Sequence, residues 1–94
     1  MNTSDDITGS YPILKENNPN REYVMVDVLF NFAGIMHPKL ITNQYGRVDV
    51  VIEVEDCRNA FTKDKTASGL RYTCLTNMSK VALFFCNGVW FLEK

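Results

Sequence analysis

Few side chains in this sequence are of the types that do acid–base or covalent chemistry, and their spacing gives that chemistry little support. His37 is the single histidine, set between Ile35-Met36 and Pro38. A general base needs an acid or a nucleophile within hydrogen-bond reach, and no neighbour along the chain supplies one. Cys57 stands between Asp56 and Arg58. An adjacent carboxylate raises a thiol pKa, so Asp56 works against a thiolate nucleophile there. Cys74 and Cys86 complete the set of three cysteines. A zinc site built from them and His37 would lack the close cysteine pair that structural zinc sites use. Asp49, Glu53 and Glu55 are the remaining candidates. On an extended strand they share one face at steps of ~7 Å, a separation suited to a carboxylate pair or a cation. Arg47 on that face offsets part of the charge, and a solvated acidic face explains the pattern equally well. The five glycines stand singly, which leaves no phosphate-cradling loop. The reading is a non-enzyme with no metal and no cofactor.

Charge narrows the partners. Ten basic and eleven acidic side chains give a net charge of −1. Such a balance offers no electrostatic attraction to nucleic acid or to an anionic membrane. The basic residues do not cluster, since Lys63 and Lys65 are split by Asp64. Nucleic-acid binding would rest on analogy with other small barrels alone. No apolar run reaches the ~20 residues of a membrane span. Met1-Asn2-Thr3-Ser4-Asp5-Asp6 does not resemble a secretory leader, so a cytoplasmic protein with reduced cysteines is expected.

The elements that must position these residues are strands. With 94 residues, the chain can bury ~65% of its surface, enough for one domain with a modest core. Residues 1–20 are rich in Asn, Asp, Ser and Pro and read as a flexible arm, or as one that docks through Tyr11-Pro12-Ile13-Leu14. Residues 21–94 read as a single β-rich domain. Val24, Val26, Val28, Phe30 and Phe32 alternate along a first strand over 23–32. Leu40-Ile41-Thr42 precedes a turn at Asn43-Gln44-Tyr45-Gly46. A strand over 47–55 then directs Val48, Val50, Ile52 and Val54 to the core, and its carboxylates to water. The polar stretch 56–68 has room for a short helical turn around Asn59-Ala60-Phe61. Residues 70–76 form another strand, and Asn77-Met78-Ser79 turns the chain.

The last segment is the most specific. Asn87-Gly88 between Val81-Ala82-Leu83-Phe84-Phe85-Cys86 and Val89-Trp90-Phe91-Leu92 is a hairpin signal. A two-residue loop sets Cys86 against Val89, Phe85 against Trp90, Phe84 against Phe91, and Leu83 against Leu92. Both faces of that hairpin are apolar. Aromatic side chains of ~150–250 Å² each are costly to leave wet. The second face must therefore be covered by the arm, by the 56–68 segment, by a second copy or by a partner.

These features predict a mainly β fold: a small antiparallel barrel or sandwich of four to six strands, with at most one short helix. The expected function is recognition of a protein partner, as an inhibitor or regulatory adaptor of the size of phage-encoded inhibitors and immunity proteins. Phe85, Trp90 and Leu92 are the expected apolar anchors, with Asp49, Glu53 and Glu55 as an acidic complement. The alternative is a homo-oligomer, a homodimer in the simplest case, that takes a small ligand through Arg47, Arg71 and Tyr72.

Overall fold

Alternating β-branched and aromatic residues, punctuated by Asn and Gly turns, fold into six strands in the computed structural model, which describes residues 18–94. They are β1 (Arg21–Phe30), β2 (Met36–Thr42), β3 (Val48–Phe61), β4 (Ser68–Thr76), β5 (Lys80–Cys86) and β6 (Val89–Glu93). Each pairs antiparallel with the next, and β6 returns to β1, closing an up-and-down barrel. No helix occurs among the described residues, and so none there is long and apolar enough to cross a membrane. The arm expected over 1–20, with its docking motif at Tyr11-Pro12-Ile13-Leu14, lies outside the described residues except for 18–20.

Turn chemistry sets the registers. Asn87 and Gly88 both have positive φ, 53° and 81°, the conformation of the hairpin turn whose twist matches paired strands. Leu83, Phe84, Phe85 and Cys86 accordingly face Leu92, Phe91, Trp90 and Val89. At the β2–β3 turn, Asn43 Oδ1 accepts from the Tyr45 and Arg47 amides at 2.9 Å each, while Gly46 takes φ 88°. Asn31 Oδ1 organises the β1–β2 turn in the same way, accepting from Ala33 N at 2.8 Å and Ile35 N at 3.0 Å.

The core has two compartments. Ile41, Val51, Tyr72, Cys74 and Leu83 are buried together, with Val24, Val26, Val54, Phe85, Trp90 and Leu92 against them. All six strands contribute, which makes this cluster the barrel interior. Tyr23, Phe84, Cys86 and Phe91 form a second buried cluster on the outer face of β1, β5 and β6. Phe84 and Phe91 stack at 5.3 Å, and Tyr23 meets Phe91 edge-on at 5.6 Å.

The cover over that outer cluster is intrachain. Residues 59–61, where the sequence leaves room for a helical turn, instead continue β3, because Asn59, Ala60 and Phe61 pair with Leu70, Gly69 and Ser68. The long β3–β4 hairpin then folds back, so that Ala60 and Ala67 pack on the Phe84–Phe91 cluster. Gly69 makes the close approach to β5 possible: a Cβ there would lie 2.4 Å from the Phe85 carbonyl oxygen. The hairpin tip is tied to the barrel by hydrogen bonds from Arg21 to Thr66 and from the Lys63 amide to Glu93.

Candidate functional site

The structure brings some of the expected site residues inside and separates the others. Phe85, Trp90 and Leu92 are half-buried and pack toward the barrel interior, with Trp90 4.7 Å from the Phe85 ring and 5.6 Å from the Tyr72 ring. The opposite face of their hairpin lies under the β3–β4 tip. This hairpin therefore spends its aromatic surface on folding.

The acidic trio does not form one face. Two β-bulges, at Ile52 and Glu55, interrupt the pairing of β3 with β4 and reset the alternation each time. Asp49 sits opposite Ile41 on the interior side, where it accepts from Arg47 Nη2 at 3.1 Å. Glu53 is exposed on the outer side beside Leu75, and Glu55 pairs with Lys80 at 2.9 Å. Arg71 and Tyr72 are consecutive and so point oppositely. Arg71 donates to Thr73 Oγ1 at 3.0 Å on the outside, while Tyr72 is buried within. Arg47, Arg71 and Tyr72 thus line no common pocket.

An open groove of about 310 Å³ lies where β2 and β3 diverge, and it gathers His37, Glu53, Asp56, Cys57 and Tyr72 along its walls. The divergence has a cause. β2 pairs with β3 only through Leu40, Ile41 and Thr42, because Lys39 is an extra residue in the β1–β2 ladder and Pro38 has no amide to donate. The groove's chemistry is subdued. Tyr72 is pushed up to about 12, first by burial and then by the neighbouring Cys57 thiol, and Cys74 is pushed up to about 11 mainly by burial. Both shifts favour the protonated forms. Among the described residues no three metal-ligating side chains come together.

The distinctive surface is elsewhere. Val48, Val50 and Ile52, which the alternation assigned to the core, are exposed, and Val51 is buried in their place. The inversion follows from register: Ile41 is interior, Asp49 is its partner, and Val51 follows Asp49 by two residues. Thr42 and Leu40 lie between β1 and β3, giving the rows Met25–Thr42–Val48 and Asp27–Leu40–Val50. Leu29, opposite His37, extends the same face. Met25 is 67% exposed, Leu29 58%, Val50 47% and Ile52 63%. The outer face of β1–β2–β3 is thus rich in exposed apolar side chains, with Asp27 and Thr42 set among them. Sequence reasoning missed it because apolar residues at period two read as core, whichever face they occupy. Comparisons of the chain with protein-family models, curated proteins and solved structures find no match.

Proposed function

We propose that this chain is a non-enzymatic protein-recognition module, acting as an inhibitor or regulatory adaptor through the outer face of β1–β2–β3. One observation carries the reading: Met25, Leu29, Val48, Val50 and Ile52 are exposed on that face around Asp27, Leu40 and Thr42, whereas the hairpin's Phe84 and Phe91 are buried and its Phe85 and Trp90 half-buried in the chain's own core. Five such side chains amount to roughly 500 Å² of apolar surface, at the upper end of what a monomer leaves in one patch. Val50 is the middle one of the three exposed β3 residues on this face and lies beside Leu40. The groove between β2 and β3 brings no three metal-ligating side chains together among the described residues, and burial favours the protonated form of its tyrosine.

The test uses the intact chain as bait beside its Val50→Glu variant, in extracts of the cells that make it. A carboxylate within the face should reduce retention of any specific partner about tenfold or more. Equal retention by both baits would remove this face from the function.

A further inference from the structure

We infer that the outer face of β1–β2–β3 also binds a second copy of this chain, so that the free protein is a twofold dimer packed sheet on sheet. The inference rests on the reading of that face as a recognition surface, and it names one occupant. Three features point to self-association. The first is area. Roughly 500 Å² of apolar surface per copy, with Asp27, Leu40 and Thr42 adding to it, reaches the floor of about 1,000 Å² in total that a biological interface needs. The second is charge. The net charge of −1 leaves two copies without strong mutual repulsion, and Asp27 is the one ionisable residue in the two central cross-strand rows. A twofold contact sets a surface against itself, so it tolerates apolar rows better than charged ones.

The third feature directs association to this face and away from the barrel's open edge. β3 has no β2 partner over 52–57, and such an edge is a template for strand addition. That edge carries Glu53, Glu55 and Asp56. Pairing it antiparallel with its own copy would bring carboxylates near one another, an effect that Lys80 on Glu55 and Arg58 on Asp56 reduce without removing it at Glu53. The bulges at Ile52 and Glu55 further spoil it as a straight edge. The sheet face carries one carboxylate, Asp27, in its two central rows. Two twisted sheets pack at ~10 Å with interdigitated side chains, and Val48, Val50 and Ile52 would then form the centre of the contact.

Light scattering across a concentration series on the full-length chain is the test. The expected result is a concentration-dependent rise to twice the 10.8 kDa chain mass. Val50→Glu should return the mass to that of a monomer with an unchanged circular dichroism spectrum. Phe32→Ser removes a fully exposed aromatic in the β1–β2 turn, outside the face, and should leave the dimer intact. If Val50→Glu perturbs folding, Ile52→Lys asks the same question from an exposed position. A wild-type chain that stays monomeric to its solubility limit overturns the dimer. A dimer that survives both face variants, or that Phe32→Ser abolishes, also overturns it. The recognition reading fails by a separate result, namely equal partner retention by the wild type and Val50→Glu baits.

Discussion

Asp64 shows how much one side chain can organise at the tip of a hairpin. Its carboxylate accepts from Thr62 Oγ1 and Thr66 Oγ1 at 2.7 Å each, from the Thr66 amide at 3.1 Å, and from Asn20 Nδ2 at 3.2 Å. Donors aimed at an anion favour the ionised form, so the group is held well below its ordinary value of 3.8, with the Thr66 hydroxyl the largest cause. A carboxyl whose folded pKa is depressed stabilises the fold above its unfolded value. That contribution is lost as pH falls through 3.8 toward the folded value. Because the group is exposed, solvent screens the effect, and its sign is the testable part. Asp64→Asn should lower the melting temperature at pH 7, and the gap to wild type should close as pH is lowered below 4. A gap that persists unchanged in acid would mean that shape, and not charge, holds the tip. The tip matters beyond itself, since Thr66 receives Arg21 and the Lys63 amide reaches Glu93, linking it to β1 and β6.

At the scale of elements, the β3–β4 hairpin does two jobs with one continuous ladder. Its first half closes the barrel, and its second half folds over the Phe84–Phe91 stack. At Gly69 the absent side chain lets β4 pass close to the end of β5. A Cβ there would meet the Phe85 oxygen at 2.4 Å and Cys86 Cβ at 3.1 Å. Backbone is poor at yielding, so Gly69→Ala should destabilise the fold by about 1–3 kcal/mol. Urea denaturation measures the loss, and a change under about 0.5 kcal/mol would show that the overlay tolerates displacement. This element also shows what the sequence made legible. The register of β5 against β6 was readable because the two-residue loop Asn87-Gly88 admits only one. The need to cover the second face of that hairpin was readable from Phe84 and Phe91, and the cover proved to be the 56–68 segment. The path of β3 was not readable. Nothing in Ile52 or Glu55 announces a bulge, yet each bulge resets which side chains face inward, and so the acidic trio dispersed. Residues 59–61 look polar enough for a turn, and they are strand because β4 lies beside them. The exposed face escaped for a different reason: Val48, Val50 and Ile52 have the composition of core, and coverage is a property of the assembled barrel.

Across the whole molecule, stability is distributed unevenly in a way that bears on the proposed surface. β4 and β5 each have a ladder on both sides and carry Tyr72, Cys74, Leu83 and Phe84, which are at most 3% exposed. β1 has two neighbours only in part. Arg21 to Val24 pair with β6, whereas Met25 to Phe30 pair with β2 alone. Past Val28 the β1–β2 hairpin becomes a two-stranded ribbon whose Leu29, Phe30 and Ile35 are all more than half exposed. Such a ribbon has few buried contacts to resist local opening. Hydrogen exchange should therefore find the amides of residues 29–37 at least about 100-fold less protected than those in β4 and β5. Dimerisation through the sheet face would change that ratio selectively. Leu29 belongs to the face and Phe32 does not, so raising the protein concentration should slow exchange at the β1 and β2 positions nearest Leu40. The turn around Phe32 should stay fast. Uniform protection across all six strands at low concentration would contradict this account. It would mean that the ribbon draws its stability from contacts other than the ladder it shares with β2.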